Sequence, residues 1–276
     1  MDPDSLVLVD VRDRVAMLTL NRPEARNALS PELVTLLQQT CIECEARDDV
    51  AAMVLTGADP AFCGGIDLKR LAAGTSSASG LIGNGPFPPH RKPIVGAVNG
   101  VAVTGGLELA LACDFLIASD RARFADTHAR VGVMPGWGLT IELPRAVGLR
   151  RARQMSLTGN YIDAATALAW GLVNEVVPHD ELLDRARSLA VDIASIRTEC
   201  VQELRDMYDE AAGRVGDDAR AYEAQRSRQW MREQFDRERF ANERTDIVAR
   251  GRSQTGSNER RSDRGVQGPS GPLSGK

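Results

Sequence analysis

Short runs of β-branched and aliphatic residues open the chain. Leu6 to Val11 and Val15 to Leu20, split by Arg12-Asp13-Arg14, predict a hairpin. Asn21-Arg22-Pro23-Glu24 breaks that pattern. Ser30-Pro31-Glu32 then starts a helix, with Ser as N-cap and Pro at the first helical position. Leu33, Leu36, Leu37, Cys41 and Cys44 recur at helical spacing, and the helix ends near Arg47-Asp48-Asp49. Val50 to Thr56 reads as an apolar strand closed by Gly57. Residues 74 to 92 carry Gly, Ser and Pro without period and read as a flexible loop. A strand at Ile94 to Val98, a helix at Gly105 to Cys113 and a strand at Phe115 to Ala118 follow. Strand and helix alternate, which argues an α/β architecture.

Beyond Gly136 the pattern turns helical. One further strand is expected at Leu172 to Val177, then a long amphipathic helix from Glu181 to about Glu210. Residues 218 to 248 are helical in pattern but heavily charged, with Tyr222, Trp230, Met231, Phe235 and Phe240 as the apolar points. Such a thin stripe suits a solvated surface helix or an oligomer contact. From Gly251 onward Gly, Ser and Arg dominate, and a segment so poor in apolar residues does not order itself. The boundaries that follow are an α/β core over 1–195, a helical region over 196–250 and a disordered tail over 251–276.

Composition narrows the function classes. Of 276 residues, 43% are hydrophobic and 26% charged, which excludes wholesale disorder. A net charge of −4 supplies no field to draw in nucleic acid. No run approaches the ~20 apolar residues of a membrane span. Met1-Asp2-Pro3-Asp4 does not begin a basic-then-apolar leader, so the expectation is a soluble, cytoplasmic protein. Cysteines 41, 44, 63, 113 and 200 are odd in number, and the scattered histidines 90, 128 and 179 assemble no metal set by local spacing. The thiols read as small hydrophobes in a reducing compartment.

The helix Gly105-Gly106-Leu107-Glu108-Leu109-Ala110-Leu111-Ala112-Cys113 is apolar around its whole circumference, and Glu108 is its only ionisable side chain. A carboxyl group buried without a cation in its own segment is costly. Burial disfavours the charged form of such groups and moves them towards the range useful for acid–base work. The alternative is a first-turn glutamate facing solvent and favoured by the helix dipole. A Gly-Gly helix start, whose free N–H groups can face an anion, weighs for function. Ala61-Phe62-Cys63-Gly64-Gly65-Ile66-Asp67-Leu68-Lys69 is a second place where glycines, followed by a helix, let backbone approach a ligand. Neither stretch fits a P-loop or GxGxxG pattern, and there is no G-x-S-x-G elbow.

Together these segments resemble the enoyl-CoA hydratase/isomerase (crotonase) superfamily. In order, the matching pieces are Leu20-Asn21-Arg22-Pro23-Glu24-Ala25-Arg26-Asn27-Ala28-Leu29, Ala61 to Leu68, and Lys92-Pro93-Ile94-Val95-Gly96-Ala97-Val98-Asn99-Gly100. Gly105 to Ala110, Cys113-Asp114 and Val131-Gly132-Val133-Met134-Pro135-Gly136 complete the set. The resemblance covers about residues 5 to 210. It implies an α/β fold built as a spiral of β-β-α units, with C-terminal helices that pack homotrimers, commonly paired into hexamers. It implies an acyl-CoA substrate and no metal or redox cofactor, CoA being part of the substrate. The backbone N–H groups of Ile66 and Gly105 would form the oxyanion hole for the thioester. CoA would lie along Arg26-Asn27-Ala28, with Arg26 and Lys69 as candidate phosphate or adenine-side contacts, or as ordinary surface charges.

A hydratase of this family uses two glutamates around one water. Glu108 falls on the one that takes a proton from the water, whereas the one that supplies the α proton falls on His128, in Phe124-Ala125-Asp126-Thr127-His128-Ala129-Arg130. Histidine is a competent acid and base near neutrality. The plain alternative is a polar loop residue bonded to Asp126 or a backbone carbonyl. Trp137 sits where a ring could narrow the acyl pocket or simply pack. The leading expectation is an enoyl-CoA hydratase-like lyase acting on a trans-2-enoyl-CoA. Isomerisation, hydrolysis or dehalogenation of an acyl-CoA, and non-catalytic acyl-CoA binding, remain as alternatives.

Overall fold

The computed structural model describes residues 5–67, 85–214 and 216–234, with 238, 239 and 242 besides. The expected tail, residues 74–84 of the expected loop, the helix expected after Gly65, and Phe235 and Phe240 all lie outside these residues. The chain divides at Asp209/Glu210 into two units.

The opening hairpin forms as expected. Strands β1 (Val7–Arg12) and β2 (Val15–Leu20) pair antiparallel from Val7 opposite Leu20 to Arg12 opposite Val15. Asp13 and Arg14 close it with φ of 53° and 61°, the left-handed pair that a tight two-residue hairpin turn demands. Helix α1 (Pro31–Ala46) starts where Ser30 accepts a hydrogen bond from the Leu33 N–H, and it buries Leu33, Leu37, Cys41 and Cys44.

Strands β3 (Ala52–Gly57), β4 (Ala61–Cys63), β5 (Ile94–Val98) and β6 (Val101–Val103) follow, then helix α2 (Gly105–Leu111). Next come β7 (Phe115–Ser119), β8 (Arg123–Ala125), α3 (His128–Val131), α4 (Leu139–Val147) and α5 (Leu149–Thr158). The series ends with β9 (Ile162–Asp163), α6 (Ala164–Trp170), β10 (Glu175–Val177), α7 (Leu182–Ala194), α8 (Thr198–Ala211) and α9 (Gly216–Glu233).

Two sheets result. The larger has the order β1-β2-β3-β5-β7-β10, parallel from β2 onward, and the smaller has the order β4-β6-β8-β9. Strands β3 and β5 are buried along their whole length, so they read as unbroken apolar runs, as internal parallel strands do. One face of the large sheet takes Leu182, Ala186, Ala190 and Ala194 of α7, an i, i+4 stripe whose three alanines let the helix sit close on Val54, Val95 and Ile117. The other face packs Met53, Leu55 and Ile94 into the main core with α1 and α2.

Three expectations are corrected. The helix expected from Glu181 to Glu210 is two helices, α7 and α8. Arg14 donates to the Ala194 carbonyl at 2.8 Å and to the Thr198 hydroxyl at 3.0 Å, and Ser195 Oγ donates to the Asp192 carbonyl, so the chain turns between the two helices. The strand expected at 172–177 is only Glu175–Val177, because Leu172 and Val173 are core residues of the turn preceding it. Helix α2 ends at Leu111 rather than Cys113. Among the described residues no helix is long and apolar enough to cross a membrane.

Candidate active site

The smaller sheet brings two glycine-bearing turns together. Asn27, fully buried with φ of 54°, donates through Nδ2 to the carbonyls of Ala58 and Ala61 and accepts from the Arg22 N–H through Oδ1. This pins the Arg22–Ala28 turn to the start of β4. Gly64 N–H then donates to the Arg26 carbonyl, and Leu29 N–H to the Gly65 carbonyl at 2.7 Å. Leu29 and Ile66 form a parallel bridge, closed on its other side by Asp67 N–H donating to the Leu29 carbonyl. In this bridge Leu29 makes both bonds, to the residues on either side of Ile66, so the N–H of Ile66 itself points away from Leu29.

Gly65 has φ of +81°, and a Cβ there would meet the Val103 carbonyl at 2.5 Å and Thr104 Cβ at 3.2 Å. The Gly65–Ile66 turn therefore lies directly on the strand end that leads into α2. Gly105 is the first residue of that helix, and the first N–H groups of a helix have no intrahelical acceptor. A Cβ on Gly105 would lie 2.9 Å from Leu29 Cδ1 and 4.0 Å from Ile66 Cγ1. The two turns named in the sequence are thus neighbours. Among the described residues neither the Ile66 nor the Gly105 amide donates a hydrogen bond.

Glu108 lies one turn into α2 and is 4% exposed, so the solvent-facing alternative does not hold. Its Oε1 accepts from the N–H groups of Gly136 (3.1 Å) and Trp137 (2.7 Å), which fixes the carboxyl group's orientation. Its Oε2 lies 3.4 Å from His128 Nε2. His128 is the first residue of α3 and is 3% exposed. Its Nδ1 is 2.6 Å from Asp126 Oδ1, which also accepts from the His128 backbone N–H at 3.1 Å. The bond to Asp126 that the plain alternative expects is present, but His128 is buried at a helix start rather than in a polar loop, and the same ring also faces Glu108.

Electrostatics follow from this arrangement. Burial works against charge on the imidazole, but hydrogen bonds to Asp126 and Glu108 outweigh it and raise the His128 pKa from 6.5 to about 9. Burial also works to raise the Asp126 pKa, yet hydrogen bonds from His128 and Ser156 hold it below the usual carboxyl value. The ring thus lies between two acidic side chains that favour its charged form.

The remaining sequence candidates divide. Arg26 stands in the left-handed region at φ of 52°, exposed, beside the Gly64 turn, and Ala28 is buried two residues on. Lys69 lies outside the described residues. Trp137 packs its partly buried ring against the main core, and its backbone N–H is what reaches the site. Burial pushes the Cys41 and Cys63 thiols up to about 12, in keeping with their reading as small hydrophobes. Among the described residues no cluster of three or more His, Cys, Asp or Glu has metal-holding geometry. Sequence reasoning gave no role to Asp126 beyond a possible bond, nor to the Gly136 and Trp137 amides. The Pro135-Gly136-Trp137-Gly138 turn was their only trace.

The fold and site define an α/β protein with two turn amides beside a buried carboxyl–imidazole pair. A family model described as enoyl-CoA hydratase/isomerase matches residues 10–245. The (E)-benzylidenesuccinyl-CoA hydratase of Thauera aromatica is 44% identical over 205 residues, 72% of this chain and 80% of its own. A probable enoyl-CoA hydratase of Mycobacterium bovis is 37% identical over 209 residues, 74% and 81% of the two chains. The crystal structure of an enoyl-CoA hydratase from Mycobacterium smegmatis shares 50% identity with a TM-score of 0.70, over 83% of this chain and 99% of that one. The chain belongs to the enoyl-CoA hydratase/isomerase family.

Proposed function

We propose that the protein adds water across the double bond of a trans-2-enoyl-CoA, with Glu108 and His128 as its acid–base pair. The Ile66 and Gly105 amides hold the thioester oxygen and stabilise the enolate charge that develops there. Glu108 accepts a proton from water as its oxygen bonds to the β carbon. The Nε2 proton of the His128 imidazolium goes to the α carbon. After addition the glutamate is protonated and the imidazole neutral. A proton passing from Oε2 to Nε2 restores both.

The observation that carries the reading is the 3.4 Å approach of Oε2 to Nε2; hydrogen bonds to Asp126 and Glu108, which raise the His128 pKa, support a charged donor there. A histidine therefore fills the place of the family's second glutamate with its proton already loaded. The proton inventory closes without a metal or redox group, and CoA enters as part of the substrate. Its phosphates are assigned to Arg26 and Lys69, beside the Ala28 turn. Exposed apolar side chains such as Met134, Leu157 and Tyr161 support contact with further copies of the chain, in a homotrimer or a hexamer made of two trimers. The cytoplasm is the expected compartment.

Loss of enoyl-CoA absorbance tests the reading. Wild type should turn over a trans-2-enoyl-CoA, and Glu108→Gln should lower kcat by about 10³-fold with KM nearly unchanged. Parallel assays with 3-enoyl-CoA and saturated acyl-CoA separate isomerisation and hydrolysis. Glu108→Gln turning over as fast as wild type would refute the assignment.

A further inference from the structure

The family's second acid–base position normally needs no partner to set a tautomer, because a carboxyl group has none. A histidine there has two ring nitrogens and two ring orientations, and something must choose between them. The choice is visible in the β8–α3 turn. Asp126, 2% exposed, directs Oδ1 at both the backbone N–H of His128 (3.1 Å) and its Nδ1 (2.6 Å). One oxygen thus binds the ring and the start of the helix that carries the ring. The imidazole cannot rotate about its own axis without losing that bond.

We propose that Asp126 is a positioning residue for the proton donor. By holding Nδ1–H, it leaves the Nε2 proton as the one that faces Glu108 and the substrate carbon. This rests on the reading of His128 as the donor of the α proton. In the step itself the Nε2–H bond breaks, its electron pair stays on the ring, and the proton bonds to the α carbon. The Nδ1–H bond to Asp126 is kept throughout, so the ring returns to the same tautomer each cycle. The buried carboxylate also stabilises the charged ring before transfer, as oriented carboxylate–imidazole pairs do.

Among the described residues, the acidic groups that hydrogen-bond the ring are two. The charges acting on His128 are Asp126 from the β8–α3 turn and Glu108 from α2. Arg130, on the same short helix, turns away and donates to the Thr158 carbonyl at 2.7 Å and to Asn160 Oδ1 at 3.2 Å. From α5, Ser156 meets Asp126.

The test uses the full chain with Asp126→Asn, which keeps an acceptor oxygen but removes the charge, and Asp126→Ala, which removes both. For Asp126→Asn, kcat on the enoyl-CoA should fall by at least about tenfold, and for Asp126→Ala by about 100-fold, with KM within about twofold. The alkaline limb of the kcat profile should move down by about one pH unit or more in Asp126→Asn. Nitrogen NMR of the imidazoles gives a readout independent of turnover, since the chain holds three histidines. The His128 midpoint should lie well above 6.5 in wild type and drop in both variants. An unmoved His128 titration and alkaline limb in Asp126→Asn overturn the proposal. If wild type hydrates no enoyl-CoA, the functional reading fails alone, and the His128 titration still decides whether Asp126 sets the ring.

Discussion

The hydroxyls of Thr104 and Thr127 meet at 2.5 Å, joining the residue before Gly105 to the residue before His128. Each threonine is the N-cap of its helix, α2 for Glu108 and α3 for His128. Thr104 holds φ of 56° and ψ of −116°, a conformation a β-branched residue rarely adopts. Such strain persists only where surroundings impose it. Here the hydroxyl contact ties α2, which carries Glu108, to α3, which carries His128. Thr127→Val keeps the side-chain shape and leaves the Thr104 hydroxyl without this partner. It should lower stability by about 1–2 kcal/mol. It should also lower kcat more than it raises KM, as read from thermal unfolding and steady-state kinetics on one preparation.

The paired glycines of α2 should separate stability from turnover. A Cβ on Gly106 would sit 2.2 Å from the backbone carbonyl of Cys63 in β4, which has nowhere to go. Gly106→Ala should therefore destabilise by about 3 kcal/mol or more, lowering the denaturant midpoint. A Cβ on Gly105 meets the end of the Leu29 side chain instead, and a rotamer change can relieve most of the clash. Gly105→Ala should cost only about 1 kcal/mol of stability, yet lower kcat by about tenfold or more by shifting the amide from the thioester oxygen. Equal denaturant midpoints for the two variants would contradict this.

How much of this could be read from the chain depends on where each signal lies. Glu108 stood out because a carboxyl group in an all-apolar helix has no cheap structural explanation. The hairpin and α1 were legible from their own period, turn and cap, and the inner strands of the large sheet from unbroken apolar runs. The smaller sheet was not. Its strands run two or three residues, too short for alternation to register. The donors on Glu108 Oε1 are main-chain amides, which leave no mark on residue identity. His128 entered through resemblance alone, since nothing in its own segment separates an acid from a loop residue. The break between α7 and α8 is set by Arg14, 180 residues before Ala194, beyond any local window.

Stability should depend on pH in a window set by His128. Its folded pKa, about 9, lies above its ordinary value of 6.5. A group raised on folding binds its proton more tightly in the native state. Its contribution is therefore complete below about pH 6.5 and is lost as pH rises through about 9. The melting temperature should fall by several degrees across that interval, and His128→Gln should show a shallower fall. A wild-type melting temperature that stays level from pH 6.5 to 9 would contradict the assignment.

The turn that carries Ile66 is held by an ion pair at its far side. Arg22 Nη2 lies 2.9 Å from Asp67 Oδ2, with side-chain exposures of 17% and 9%, and Arg22 Nη1 donates to the Ala28 carbonyl at 2.9 Å. One guanidinium thus bridges the residue after Ile66 and the residue before Leu29, the two flanks of the Leu29–Ile66 bridge. Removing one member of this partly buried pair takes away part of the other's compensation, whereas replacing both is milder. Arg22→Met should destabilise by about 3 kcal/mol, and adding Asp67→Leu should recover much of that loss. Turnover should not recover with it, because the double variant restores packing but no longer fixes the direction of the Ile66 amide. Thermal unfolding and enoyl-CoA kinetics on the two single variants and the double variant decide the point. Recovery of both stability and kcat in the double variant would show that the pair only holds the fold.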